Sequence, residues 1–112
     1  MSKILFYAIT GEKMCFQHIL FNALDLHKQG DEVKIIFEGA SVKLVNVFEK
    51  EANKFYLEAK AAGIIAGICL ACSKVMQVYE ENLASGLEML GDMVGHAGMK
   101  EYINEGYQVI SM

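Results

Sequence analysis

The chain has 112 residues, 54% of them hydrophobic, with a formal net charge of −4 and a pI near 5.3. Its ten lysines form no basic cluster and it has no arginine, which excludes the charged footprint of a nucleic-acid-binding protein. One domain over 1–112 is expected at this length, and the apolar excess requires either a sheet buried on both faces or a surface covered by copies of the chain.

The first apolar run, "KILFYAI" (3–9), reads as a strand buried on both faces and closed by Thr10-Gly11. It lacks the basic region, long apolar core and cleavage site of a signal peptide, and no segment reaches the ~18 uninterrupted apolar residues of a spanning helix. Phe16, Ile19, Leu20, Ala23, Leu24 and His27 then recur at helical spacing, and Gly30 supplies the stop. "VKIIFEG" (33–39) is the second strand. Ser41 is placed to cap a helix with Leu44, Val45, Phe48, Ala52, Phe55, Tyr56 and Ala59 on its inner face, stopped at Gly63. "IIAGICL" (64–70) is the third strand, followed by a short helix from about 73 to 82. "LEML" (87–90) is a fourth strand, "GHAGMKEYINEG" (95–106) a helix framed by glycines, and "YQVIS" (107–111) the last strand. This alternation predicts an α/β fold with a parallel sheet and helices on both faces.

In such sheets, chemistry sits beyond the carboxyl ends of the strands. The segments there are "TGEKM" (10–14), "EGAS" (38–41), "ACSK" (71–74) and "GDMVGHAG" (91–98). Cys72 falls where the third strand meets its helix. Unpaired N–H groups at the helix start, and Lys74 if it turns that way, would lower the thiol pKa and favour the nucleophilic thiolate. The alternative is a small apolar residue ending a strand.

Cys69 lies inside the strand, and residues three apart on a strand point to opposite faces. The two sulfurs are therefore poorly placed for each other unless the backbone turns at Leu70-Ala71, and Cys69 reads as core. Two cysteines are two ligands short of a zinc site, and no second CxxC or HxxxH spacing is present, so no metal is expected. Cys15, in the first turns of helix one, is a candidate second thiol or a position packed on the sheet. His96 opens the last helix at the crevice rim, as a proton donor or substrate-orienting group, or as a cap or inter-subunit contact. Glu38 ends the second strand as a site group or as a helix cap with Ser41. Gly11, Gly39 and Ser73 complete the candidate pocket. His18 and His27 read as structural and the methionines as packing. No GxGxxG or GxxxxGK(S/T) phosphate loop is present. Three cysteines without secretory features predict free thiols in a reducing cytoplasm.

"ICLACSKVM", the "LEML" strand, "GHAGMKEYINEGYQVISM" and "KIIFEGASVKLV" together resemble the DsrE/DsrF-like family of small sulfur-relay proteins. The resemblance spans essentially the whole chain. It implies a three-layer α/β/α domain with a mostly parallel five-stranded sheet, assembled into homo-oligomeric trimers or hexamers. It also implies that Cys72, which matches the family's cysteine, accepts sulfane sulfur as a persulfide and passes it to a partner thiol. Sulfur-donor and acceptor proteins are then the partners, and neither metal nor organic cofactor is needed. Two rivals are a non-enzymatic homo-oligomeric binding module with packing cysteines, and a Cys69–Cys72 thiol–disulfide switch, which opposed strand faces make awkward.

Overall fold

All five apolar runs become strands in the computed structural model, which describes residues 1–112. β1 (Lys3–Ala8), β2 (Glu32–Phe37), β3 (Ile65–Cys69), β4 (Met89–Leu90) and β5 (Gln108–Ser111) form one sheet of order β4-β3-β2-β1-β5. Every pairing is parallel, so the sheet expected to be mostly parallel is entirely so. The helices are α1 (Lys13–Lys28), α2 (Leu44–Lys50), α3 (Lys54–Ala61), α4 (Leu70–Val75), α5 (Tyr79–Ala84) and α6 (Lys100–Asn104). The chain steps from β1 to β4 in one direction, and right-handed crossovers put α1 to α5 on one face. The return from β4 to β5 carries α6 over the other, which makes a three-layer α/β/α fold.

α1 buries Phe16, Ile19, Leu20, Ala23 and Leu24 against the sheet. Phe16 stacks on Phe37 at 4.5 Å between ring centres and tilts against Phe48 at 5.6 Å, so one aromatic ties α1 to β2 and α2. Burial of such a ring is worth about 3 kcal/mol. No helix is long and apolar enough to cross a membrane.

Three expected helices are shorter or broken, each for a local reason. The helix expected from Ser41 to Ala59 becomes a 3-10 turn (Gly39–Lys43), α2 and α3. Ala52 takes φ +51, and the Asn53 side chain accepts the Phe55 and Tyr56 N–H groups at 3.1 and 3.0 Å, starting a new helix. Across the break, Glu49 accepts hydrogen bonds from Tyr56 Oη at 2.6 Å and Lys60 Nζ at 2.7 Å. The helix expected over 73–82 divides at Gln77, φ +60, into α4 and α5. The helix expected over 95–106 shrinks to α6, because glycines at 95 and 98 disfavour helical backbone.

Candidate functional site

Four side chains from three separated segments meet beyond the carboxyl ends of β2 and β3. Glu38 follows β2 in extended backbone and shares a capping box with Ser41: Gly39 N–H donates to Glu38 Oε1 at 3.3 Å, and Glu38 N–H donates to Ser41 Oγ at 3.0 Å. Glu38 is thus both cap and site group. Gly39 takes φ +56, and an added Cβ would stand 2.6 Å from Ile9 Cγ2, so glycine suits both the backbone and the close approach of the residue after β1.

Cys69 ends β3 and caps α4, with Cys72 N–H donating to Cys69 Sγ at 3.5 Å. The expectation that Cys69 and Cys72 face apart fails because the chain leaves the strand at Leu70, and one helical turn brings Cys72 back over Cys69. Ser73 is fully buried and structural rather than pocket-lining: its Oγ donates to Cys69 O at 2.8 Å and receives Asn82 Nδ2 at 3.0 Å. Asn82 Nδ2 also donates to Val42 O at 2.9 Å, which fastens α4 and α5 to the turn after Glu38.

His96 arrives on a loop, not on a helix as expected. Met93 and His96 exchange backbone hydrogen bonds of 2.9 and 2.8 Å around Val94 (φ +46) and Gly95 (φ +90). Ala71 N–H donates to Gly95 O at 2.9 Å, which pins this hairpin to α4. His96 Nδ1 consequently lies 3.2 Å from Cys69 Sγ, 3.4 Å from Cys72 Sγ and 3.6 Å from Glu38 Oε1. Cys72 Sγ donates to Glu38 Oε1 at 2.8 Å, and all four donor atoms lie within 4.8 Å of one another. Glu38 and His96 thus add two potential ligand atoms, from distant segments, to the two cysteines.

Tyr7 joins them from β1. Its hydroxyl lies 3.0 Å from Glu38 Oε2 and 2.8 Å from Ala97 O, so one phenolic proton serves two acceptors. Burial raises the Tyr7 pKa, and the Glu38 charge raises it further.

The expected low-pKa thiol is reversed. Burial, then the hydrogen bond to Glu38, push the Cys72 thiol up to about 12. Burial alone would raise the Glu38 carboxyl, but hydrogen bonds from Cys72, Cys69, Tyr7 and Gly39 outweigh it and hold Glu38 below the usual carboxylate value. The proton between them therefore sits on sulfur. Lys74 does not supply the expected charge: its Nζ lies 5.1 Å from the Tyr79 ring centre, and it is not among the groups that shift the Cys72 thiol. α4 has only six residues, too few for a strong helix field.

Two expected positions lie apart from the cluster's polar contacts. Cys15 is exposed on α1. Gly11 is a packing glycine, where an added Cβ would meet Ala40 Cβ at 2.9 Å and Lys43 Cε at 3.0 Å. Tyr7 and Asn82 were missed by sequence reasoning. A tyrosine near the carboxyl end of a buried strand carries a hydroxyl that needs a partner, and that was the available signal for Tyr7. The clefts are lined by other residues. One of 430 Å³ is at the amino ends of the strands beside His27, Asp31 and Tyr107, and clefts of 340 and 350 Å³ border Asp92 and Gly98. None is lined by Cys69, Cys72, His96 or Glu38.

No family model matches the chain, and no solved structure matches it significantly. Among curated proteins, it is 33% identical over 97 residues to the uncharacterized protein MJ0733 of Methanocaldococcus jannaschii, a match covering 85% of this chain and 78% of that one. The chain belongs to the same family as this archaeal protein.

Proposed function

We propose that the protein is a small sulfur carrier that accepts sulfane sulfur as a persulfide on Cys72 and passes it to a partner thiol in a reducing, cytoplasmic setting. The observation that carries this reading is the half-buried Cys72 thiol, which donates to Glu38 Oε1 at 2.8 Å and has the His96 imidazole Nδ1 at 3.4 Å. A thiol that keeps its proton at neutral pH needs a base at the moment of attack, and both neighbours are within reach. Cys72 Sγ attacks the outer sulfur of a donor persulfide, R–S–SH, as its proton passes to His96 or Glu38. The donor S–S bond breaks, the R–S⁻ group leaves and takes that proton, and the products are Cys72–S–SH and R–SH. The next thiol repeats the exchange on Cys72, with no net oxidation.

The resemblance of the Cys72 region to DsrE/DsrF-like proteins supports the same chemistry. That no cleft is lined by Cys72 favours sulfur delivered by a docking protein over an enclosed metabolite. Exposed Met93 and Val94, on the hairpin that carries His96, fit a homo-oligomer, trimer or hexamer, within this reading.

A second reading rests on the return of Cys72 over Cys69: oxidation of the pair by a small disulfide or peroxide would form one S–S bond and remove two electrons and two protons. Intact-protein mass spectrometry after incubation with a cysteine desulfurase and cysteine separates the readings. Sulfur transfer adds one sulfur mass to wild type and none to Cys72→Ser. A loss of two hydrogens under mild oxidant alone marks the switch. No sulfur gain in wild type overturns the carrier reading and leaves a binding module with packing cysteines.

A further inference from the structure

The cluster combines two thiols, an imidazole and a carboxylate, a donor set suited to a borderline divalent cation. We infer that Cys69, Cys72, His96 and Glu38 together bind one zinc-type cation in a tetrahedral site.

Four observations carry the inference. First, zinc bond lengths set the donor spacings of a tetrahedron at about 3.3–3.8 Å. Four of the six pairs measure 3.2 Å (Cys69–His96), 3.4 Å (Cys72–His96), 3.6 Å (His96–Glu38) and 2.8 Å (Cys72–Glu38), and all six lie within 4.8 Å. Small side-chain movements therefore bring all four to one centre. Second, the ligands are held from behind. Glu38 Oε2 faces Tyr7 Oη at 3.0 Å while Oε1 faces the cluster, Cys72 N–H donates to Cys69 Sγ, and the 93–96 hairpin fixes the backbone of His96. Such outer contacts orient metal ligands and tune their affinity.

Third, the four donors come from three separated segments that the fold itself has already brought together, so the cluster stands assembled before any cation arrives. On binding, each S–H bond that breaks is replaced by a metal–sulfur bond, one proton per thiol leaves to solvent, and nothing is oxidised. Fourth, an entry path exists. Cys69 and Glu38 are buried, but Cys72 is half-buried and the His96 side chain is 38% exposed, so the cluster opens on the hairpin side.

Four protein ligands close a tetrahedral site, which is the pattern of a structural or regulatory cation rather than a catalytic one. Cation binding stands apart from sulfur transfer, and it adds a consequence: a bound cation caps Cys72 and blocks persulfide formation until it is withdrawn.

The experiment uses the full chain, reduced and stripped with a chelator, and then titrated with Co²⁺ and displaced with Zn²⁺. The expected result is one equivalent of Co²⁺ with the intense visible bands of tetrahedral coordination and a near-ultraviolet thiolate charge-transfer band, both lost on adding Zn²⁺. Cys72→Ser and His96→Ala should each weaken Zn²⁺ at least 100-fold in competition with a chromophoric chelator, and Tyr7→Phe, which acts through Glu38, about 10-fold. His96→Ala removes a part-exposed loop side chain while leaving the backbone bonds of its hairpin, and guards against a variant that merely unfolds, with far-ultraviolet circular dichroism as the check. An octahedral Co²⁺ spectrum, no saturable binding, or affinity unchanged in both Cys72→Ser and His96→Ala overturns the site. Sulfur loading of the stripped protein, read by mass, is scored separately, so failure of one reading does not decide the other.

Discussion

His96 Nδ1 stands 3.4 Å from Cys72 Sγ although the residues are 24 positions apart. The Met93–His96 hairpin and its anchor on Ala71 create that proximity, and the properties of Cys72 follow from its neighbours.

Burial and the Glu38 carboxylate hold the Cys72 proton on sulfur, with the thiol pushed up to about 12. In metal-free protein, alkylation of Cys72 should be slow at pH 7 and keep accelerating above pH 9. Cys69, fully buried, should react more slowly still. Glu38→Gln removes the negative charge that opposes ionisation. Alkylation of Cys72 at pH 8 should then rise on the order of 10-fold, the equivalent of one pKa unit. An unchanged or slower rate in Glu38→Gln would count against Glu38 as the group that holds the proton.

Val94 is a β-branched residue at φ +46 and is 93% exposed, so it carries backbone strain with little burial to offset it. Asn followed by Gly is the preferred pair for a hairpin turn with two positive φ angles. Val94→Asn should stabilise the chain by about 1 kcal/mol, read from the midpoint of chemical denaturation. A lower midpoint would mean that Val94 is held by contacts beyond this chain.

Asn82 is fully buried and bridges Ser73 Oγ and Val42 O, while its Oδ1 has no partner. Asn82→Ala deletes both bonds and strands the Val42 carbonyl, for a loss of about 2–3 kcal/mol. Because Ser73 holds the start of α4, the same variant should also change the alkylation rate of Cys72. Destabilisation with Cys72 reactivity intact would separate Asn82 from the site.

Hydrogen bonds from Lys60 and Tyr56 outweigh the upward push of burial on Glu49 and hold its carboxyl below the usual value. A carboxyl depressed in the fold stabilises it above the unfolded pKa, and that contribution is lost as pH falls through the folded value. Wild type should therefore exceed Glu49→Gln by about 1 kcal/mol at pH 7, with the difference shrinking below about pH 4.5. A gap that widens in acid would refute Glu49 as the ionised link between α2 and α3.

Much of the fold was legible because strands and α1 carry their own signatures. "KILFYAI" and "VKIIFEG" are continuous apolar runs, and the Phe16 to Leu24 stripe has helical period. Helix interruptions were less legible. Asn53 reads as a polar helix position until its side chain is seen accepting the Phe55 and Tyr56 N–H groups. The 95–106 segment looks helical by its flanking glycines, yet Gly95 serves a hairpin instead.

By itself, the sequence determined the alternation of strand and helix, and through it the end of the sheet at which Cys72, Glu38 and His96 would gather. Periodicity is a local property, and parallel order follows from it by chain geometry. Tertiary structure alone decided how those residues meet. The turn at Leu70 places Cys72 over Cys69, Tyr7 reaches Glu38 across the sheet, and the Val94-Gly95 hairpin swings His96 inward. It also reversed the expected state of the thiol. Charge, burial and hydrogen bonding at Cys72 depend on groups 24 and 34 positions away, and no local pattern encodes a distance between them.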